Sequence, residues 1–208
     1  ENLAITPHPD PHQSEYMSSH WHLRGFFSGF TGSAGTLVVA KDEAFLWTDS
    51  RYFLQAALQL EGTGIALMKE GIPGTPEIAE YIVKHLPSGS TVGIDGMQFS
   101  INAERQLADE LDKHGIKLDT GFAPADAIWH DRPALPDNKA FIHEQKYAGE
   151  AASDKIAKIL AATAEKGANA ILISALDELA WVLNLRGSDV KYNPVVTAFL
   201  YLGKGDST

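Results

Sequence analysis

Cysteine is absent from this 208-residue chain, which excludes disulfide scaffolds, cysteine-type zinc sites and thiol nucleophiles. Basic residues are scarce, because 17 Lys and Arg stand against 27 Asp and Glu and give a formal net charge of −10. This balance argues against nucleic acid or an anionic membrane as a main partner, since both require clustered positive charge. No apolar run approaches the roughly 18 residues of a membrane-spanning helix. We therefore expect a cytoplasmic protein with no membrane partner.

The composition is that of a folded protein, with 44% hydrophobic and 21% charged residues. Short apolar runs alternate with segments whose apolar residues recur three or four positions apart, which indicates an α/β layer architecture. Strands are predicted at residues 4–6, 36–39, 44–47, 65–68, 91–94 and 170–174. Helices are predicted at 149–166, at 176–186 before Gly187, and after three N-cap positions: Asp49 or Ser50, Thr75, and Ser100.

Residues 28–53 hold the centre of this pattern. Gly29, Gly32 and Gly35 form a flexible loop that leads into a predicted hairpin of strands 36–39 and 44–47. The glycines could suggest a nucleotide-binding loop, but the dinucleotide fingerprint lies between a strand and a helix and has a different spacing. Binding of a small anion by this loop stays open as a weaker alternative.

The alternation stops at the proline-rich segment near residues 133–139 and then begins again. Closely spaced prolines favour a stiff, extended connection, so we predict a domain boundary there. We expect a first domain at residues 1–135 and the opening, truncated part of a second at 136–208, whose apolar strands would leave an exposed apolar face. Phe26, Phe27, Trp47 and Trp181 are predicted to be core residues.

Arg51 follows the predicted hairpin at the start of a helix, where the positive end of the helix dipole disfavours a cation. Helix stability therefore does not explain it. Its guanidinium could hold a carboxylate or carbonyl group of a ligand. The alternative is an ion pair with Asp49 or another nearby acid.

Two other groups of polar residues are weaker candidates. His20 and His22 on a strand would point to one side and could hold a metal, although no third ligand has a characteristic spacing. Asp177 and Asp189 could be paired carboxylates, but they flank a whole helix and are expected to point in different directions. Arg186 suits the C-terminal end of that helix and needs no functional explanation.

Five segments together closely resemble the front part of aminopeptidase P (Xaa-Pro aminopeptidase), in the creatinase/prolidase superfamily. They are DPHQSEY at 10–16, SGFTGSAG at 28–35, WTDSRYFLQA at 47–56, WHDRP at 129–133 and LDELAWVLNLRGSDVKYNP at 176–194. Ser50 stands where this family usually has glycine. The likeness covers nearly the whole chain.

The resemblance implies a creatinase-type N-terminal domain, a mixed sheet flanked by helices, followed by the start of a second similar α/β domain. The family's dinuclear Mn²⁺ or Zn²⁺ site belongs to a third, pita-bread domain, and no His-rich glycine motif or Glu-Pro-Gly motif like that domain's occurs here. The resemblance therefore implies that this chain contains no catalytic or metal-ligating residue and binds no metal itself.

The resemblance also implies a function for the parent enzyme, which would release an N-terminal residue that precedes proline. Arg51 matches the family's arginine that contacts the peptide substrate, and it is the one site residue we predict. A homodimer is expected. The alternative is a stand-alone binding or dimerisation module of creatinase-type fold without enzymatic activity.

Overall fold

The computed structural model describes residues 2–203. The contacts between residues divide the chain into two compact units. The first comprises Glu1–Glu15 and His20–Pro133, and the second Tyr16–Ser19 and Ala134–Thr208. No helix within residues 2–203 is long and apolar enough to cross a membrane.

The first unit is built on a six-stranded mixed sheet in the order β4-β3-β2-β1-β5-β6. Its strands are β1 Leu3–Thr6, β2 Thr36–Ala40, β3 Ala44–Thr48, β4 Ile65–Lys69, β5 Thr91–Ile94 and β6 Lys117–Asp119. Its helices are α1 Leu23–Ser28, α2 Phe53–Gln59, α3 Ile78–His85, α4 Ile101–Asp112 and α5 Pro124–Ile128. The β1/β2 and β2/β3 pairs are antiparallel, whereas β3/β4, β1/β5 and β5/β6 are parallel. The predicted fold class is confirmed.

The β2–β3 hairpin serves two hydrophobic cores, because successive side chains of a strand point to opposite faces. Val38 and Trp47 pack with residues of α3 and α4 on one face, where Ile82 and Leu111 are fully buried. Leu37 and Leu46 pack on the other face with three buried residues: Phe30 of the glycine loop, Ala56 of α2, and Leu60, which follows α2 as its C-cap residue. The hairpin predicted from the two apolar runs is confirmed, with Leu37 opposite Leu46.

The predicted helix starts are only partly correct. Ser100 caps α4 as expected, since its Oγ accepts a hydrogen bond from the Ala103 amide at 3.2 Å. Thr75 does not cap α3, which begins at Ile78 after an extended Glu77 with ψ of 156°. The preceding Pro76 carbonyl instead accepts a hydrogen bond from the buried Trp47 indole at 2.9 Å. A tertiary contact therefore replaces the first helical turn.

Up to Gly203, the second unit contains three helices and two small antiparallel sheets, β7 with β9 and β8 with β10. The elements are β7 Phe141–Ile142, α6 Gln145–Ala148, α7 Ala152–Glu165, β8 Ala170–Ile173, α8 Leu176–Leu183, β9 Leu185–Arg186 and β10 Leu200–Gly203. Helix α8 ends earlier than predicted, because Asn184 adopts a left-handed conformation with φ of 50°. Arg186 Nη1 donates to the Ala180 carbonyl of α8 at 2.6 Å, in agreement with its predicted role at the helix end.

A buried lysine ties α7 to the end of α8. Lys155 is 1% exposed, and its Nζ donates to the Trp181 carbonyl at 2.8 Å and to Asn184 Oδ1 at 2.7 Å. The same ammonium lies 4.3 Å from the centre of the Trp181 ring. Backbone and side-chain dipoles thus compensate its charge in place of a carboxylate.

Two aromatic residues predicted to be core are exposed. Trp181 is 51% exposed, because the buried side of α8 is formed by Leu176, Leu179 and Val182. Phe26 is 41% exposed and stacks on Trp129 with ring centres 4.4 Å apart. The buried Trp47 confirms its prediction. Large apolar side chains of the second unit are exposed, as expected: Phe141, Ile142, Leu172, Phe199 and Tyr201.

Gly35 permits the close approach of the glycine loop to β3. Its φ is +141°, and an added Cβ would lie 2.6 Å from the Trp47 carbonyl oxygen. We expect Gly35→Ala to lower the free energy of unfolding, measured by urea denaturation, by more than about 2 kcal/mol. The new Cβ would strain the backbone at this positive φ and would also displace the Trp47 carbonyl. Gly62→Ala is the matched control. Gly62 has φ of +75° and open space around it, so only the conformational cost of about 1 kcal/mol applies. Equal losses would contradict the steric explanation.

Lys155→Met should destabilise the second unit, because it leaves the Trp181 carbonyl and the buried Asn184 Oδ1 without their donor. We expect a loss of about 2 kcal/mol, measured by native-state amide hydrogen exchange of α7 and α8. Lys158→Met on the same helix is the control, since its exposed pair with Glu150 should contribute less than about 1 kcal/mol. Equal protection in both variants would show that the Lys155 contacts do not stabilise the helix pair.

Candidate functional site

The candidate site begins in a tight turn at the end of β3. The Tyr52 amide donates to the Asp49 carbonyl at 3.0 Å, and the Arg51 amide donates to Asp49 Oδ1 at 3.0 Å. Helix α2 starts only at Phe53, with Tyr52 as its N-cap residue. The predicted cap by Asp49 or Ser50 is therefore wrong, and Arg51 lies outside the first helical turn. The Asp49 carboxylate holds the turn itself, and within residues 2–203 no side chain makes a capping hydrogen bond to α2.

The Arg51 guanidinium pairs with this same carboxylate. Its Nε donates to Oδ1 at 3.0 Å and its Nη2 donates to Oδ2 at 2.8 Å. The pair anticipated as the alternative to a ligand contact is thus present. The Arg51 side chain is nevertheless 63% exposed, and within residues 2–203 its Nη1 has no hydrogen bond. An arginine has five N–H donors, so the paired guanidinium can still bind a second acceptor.

The two partners stabilise each other's charged form. Hydrogen bonding from Arg51 lowers the pKa of the Asp49 carboxyl below its usual value, and hydrogen bonding to Asp49 raises the pKa of Arg51. Both groups are therefore charged at neutral pH. Because solvent screens an exposed pair, its main effect is on the orientation of the guanidinium rather than on stability.

Tyr52 connects Arg51 to the glycine loop. The guanidinium carbon lies 5.3 Å from the centre of the Tyr52 ring, and the Tyr52 hydroxyl lies 2.7 Å from Ser33 Oγ. Ser33 Oγ donates to Glu15 Oε1 at 2.9 Å. A hydroxyl has one hydrogen to donate, so Tyr52 must be the donor to Ser33. We call these five residues, Glu15, Ser33, Asp49, Arg51 and Tyr52, the Arg51 cluster.

The glycine loop is held in place by Arg24, which is 3% exposed. Its Nη1 donates to the Gly35 carbonyl at 2.9 Å, and its Nη2 donates to the Gly32 carbonyl. Gly32 faces Tyr52 closely, since a Cβ there would lie 2.7 Å from the tyrosine ring. Arg24 and these glycines therefore determine where Ser33 meets Tyr52.

Sequence reasoning missed the contributions of Arg24, Ser33 and Tyr52. One signal was available for Arg24, a charged residue two positions before the apolar residues Phe26 and Phe27. A charged side chain in such surroundings is rare in a core unless it is paired. No comparable signal marks Ser33 and Tyr52, because their contact depends on the folded loop.

Within the described residues, the other sequence candidates do not form the metal site or the carboxylate pair predicted for them. His20 lies in a 3₁₀ turn, Ser19–Trp21, instead of a strand, and its Nδ1 contacts the Pro133 carbonyl oxygen at 2.7 Å. Asp189 Oδ2 accepts the Thr197 amide at 2.8 Å, and no hydrogen bond joins Asp177 to Asp189 in the described part of the chain.

Residues 2–203 bring together no three His, Cys, Asp or Glu side chains that could hold a metal ion. The described residues therefore do not fit a dinuclear metal centre, and no metal-dependent step is assigned to them. The Arg51 cluster instead offers exposed hydrogen-bonding groups of both charges, which suits binding rather than covalent chemistry.

Two sequence models of the creatinase/prolidase N-terminal domain match the chain, one at residues 22–126 and one at 131–208. The chain belongs to the creatinase/prolidase N-terminal domain family. The aminopeptidase P resemblance drawn from the five segments is also confirmed, by the relatives that follow.

The chain is 46% identical to Aminopeptidase P2 of Arabidopsis thaliana, over 94% of this chain and 28% of that protein. It is 40% identical to Xaa-Pro aminopeptidase ApepP of Drosophila melanogaster, over 94% of this chain and 32% of that protein. Among solved structures it matches X-prolyl aminopeptidase from Caenorhabditis elegans, a cytosolic enzyme with a di-nuclear active site, with a TM-score of 0.90 and 32% identity. That match covers 97% of this chain and 33% of the other. The chain thus spans about a third of these relatives.

Replacing Arg51 should change the titration of Asp49. Because the folded-state pKa of Asp49 is lowered, the pair contributes stability above the unfolded pKa and loses it as pH falls through the folded value. We expect Arg51→Gln to raise the Asp49 midpoint toward its usual value of 3.8, measured by carbon NMR of the carboxyl group. Arg105→Gln, an exposed arginine on α4, should leave the midpoint unchanged. An unshifted midpoint in Arg51→Gln would contradict the pairing.

Proposed function

We propose that this chain is the non-catalytic front part of a metallo-aminopeptidase that hydrolyses the bond between an N-terminal residue and a following proline. The observation that carries the proposal is the 46% identity to Aminopeptidase P2 across 94% of the chain. The structural match to X-prolyl aminopeptidase, with a TM-score of 0.90, supports it. In this proposal residues 1–135 form the first domain and residues 136–208 the opening part of the second. The Mn²⁺ or Zn²⁺ pair binds in a part of the parent enzyme outside this chain.

Arg51 is the proposed contact to the peptide substrate. Its exposed Nη1 can donate a hydrogen bond to a carbonyl or carboxylate oxygen of the peptide. Asp49 and the Tyr52 ring restrict the guanidinium on two sides, so less side-chain entropy is lost when the peptide binds. This contact orients the substrate and moves no proton, so it should affect binding more than the chemical step.

The proposal includes a homodimer in the cytoplasm. The match to a cytosolic enzyme supports the location. The net charge of −10 is consistent with a partner that is neither nucleic acid nor an anionic membrane. The dimer rests on the resemblance to aminopeptidase P alone.

A chimera tests the role of Arg51. The chain replaces the matching segment of Arabidopsis Aminopeptidase P2, and hydrolysis of an Xaa-Pro peptide is assayed with Mn²⁺. We expect Arg51→Gln to raise KM about tenfold, the effect of one lost charged hydrogen bond, with kcat changed less than about twofold. Arg51→Lys should recover part of the loss, because it keeps the charge but not the fork of donors.

The matched control is Arg105→Gln, which removes the same charge from a different surface and should leave KM unchanged. An unchanged KM in Arg51→Gln would contradict the substrate contact. The 208-residue chain alone should not cleave the peptide with Mn²⁺, and turnover by it would contradict the non-catalytic role. A chimera that folds but has no activity would favour the stand-alone binding module instead.

A further inference from the structure

A cavity lies against the glycine loop, and Phe30 forms an apolar part of its wall. It has a volume of about 240 Å³, and its wall includes His8, His22, Arg24, Gly25, Thr31 and Gly32. The cavity belongs to the first unit, and Arg51 is not in its wall. Three of these residues can carry positive charge, and none of the lining residues is an acid.

Arg24 is the centre of this positive charge. It is 3% exposed, and within residues 2–203 it forms no ion pair. Two of its five donors bind the Gly32 and Gly35 carbonyls, its face covers the Phe30 ring at 4.9 Å, and its Nε has no hydrogen-bond partner in the described residues. A buried guanidinium is normally compensated by an acid. Arg24 has only carbonyl dipoles and a ring.

No acid within residues 2–203 contributes to the pKa of Arg24. Burial lowers this pKa to about 10, and a smaller influence of Tyr52 opposes the change. At neutral pH the guanidinium is still charged. A bound anion would supply the missing counter-charge.

His8 and His22 line the same cavity as Arg24. Burial is the main cause that lowers the pKa of His8, and the charges of Arg24 and His22 lower it further, which places the three groups within electrostatic range of one another. Glu15 is an acid that acts on His8 electrostatically. Its side chain accepts a hydrogen bond from Ser33, and its backbone carbonyl contacts His8 Nε2 at 2.8 Å. An anion in the cavity would favour the protonated form of His8 and would raise its pKa.

We propose that this cavity binds a phosphate-type oxyanion, either free or as the head group of a small monoester. The wall offers one charged guanidinium and two imidazoles that can be protonated, with no acid among the lining residues, which suits an oxyanion with up to two negative charges better than a single carboxylate. The volume admits a head group but not a whole nucleotide. The site is separate from the Arg51 cluster and does not depend on the proposed peptidase function.

Amide NMR of the 208-residue chain tests the site. Inorganic phosphate is added to about 20 mM, enough to saturate a millimolar site, at constant pH and with ionic strength balanced by NaCl. We expect saturable shifts of the Gly25, Thr31 and Gly32 amides. A parallel titration with glycerol phosphate distinguishes the two sources. Tighter binding of glycerol phosphate would indicate a monoester head group, and tighter binding of inorganic phosphate would indicate the free ion. Acetate should bind about tenfold more weakly than phosphate.

Two variants in the wall should remove binding by different means. His8→Gln with His22→Gln removes two basic groups and should weaken phosphate about tenfold or more. Gly25→Met fills the cavity without removing a donor. An added Cβ at Gly25 meets only the Phe30 carbonyl, at an ordinary 3.6 Å, so this variant should fold. Arg51→Gln and Lys113→Gln remove exposed charges elsewhere and should bind phosphate as the unaltered chain does.

Four results would overturn the proposal. They are no saturable shift with phosphate, acetate binding as tight as phosphate binding, undiminished binding in both wall variants, and loss of binding in Arg51→Gln. The last result would assign the anion to the Arg51 cluster instead.

Discussion

The hydrogen bonds from Arg24 to the Gly32 and Gly35 carbonyls are the constraint on which the arrangement of the first unit's loops depends. They fix a segment that has no regular structure of its own, and glycine at both positions lets it pack against Tyr52 and β3. The Thr48 hydroxyl adds a bond to the Ala34 carbonyl at 2.7 Å. A charged side chain inside the protein thus gives a flexible loop one conformation. The Arg51 cluster is presented at its edge.

The sequence was sufficient wherever periodicity and local chemistry decide the structure. The alternating apolar runs predicted the β2–β3 hairpin, and Ser100 predicted the start of α4. The predictions failed where a distant residue competes for a local group. Trp47 takes the Pro76 carbonyl, and no local pattern around Thr75 could indicate this. Trp181 was assigned to the core by its residue type, but its place on the solvent side of α8 depends on which face packs.

Of the residues in the Arg51 cluster, only Arg51 itself was predicted as a site residue from the sequence. Arg51 stood out because a cation is unfavourable at a helix start, although the structure places it before the helix, in a turn closed by Asp49. The sequence thus singled out Arg51 because of an expected position in the first helical turn, and the structure shows that this position was wrong. Its neighbours Ser33 and Glu15 lie 18 residues apart in the chain, and their contact requires the completed fold. Long-range polar contacts of this kind leave no periodic trace in a single sequence.

The two cores that share the β2–β3 hairpin have a consequence for how the first unit tolerates change. Leu37 and Val38 are adjacent in the chain but belong to different cores, as do Leu46 and Trp47. A slip of one residue in the strand register would exchange the contents of both cores at once. The register therefore couples the two cores, and the two faces of the sheet are expected to melt together as a single cooperative unit. Substitutions in this hairpin would act on one face at a time, whereas an insertion or deletion of one residue within a strand would disturb both cores.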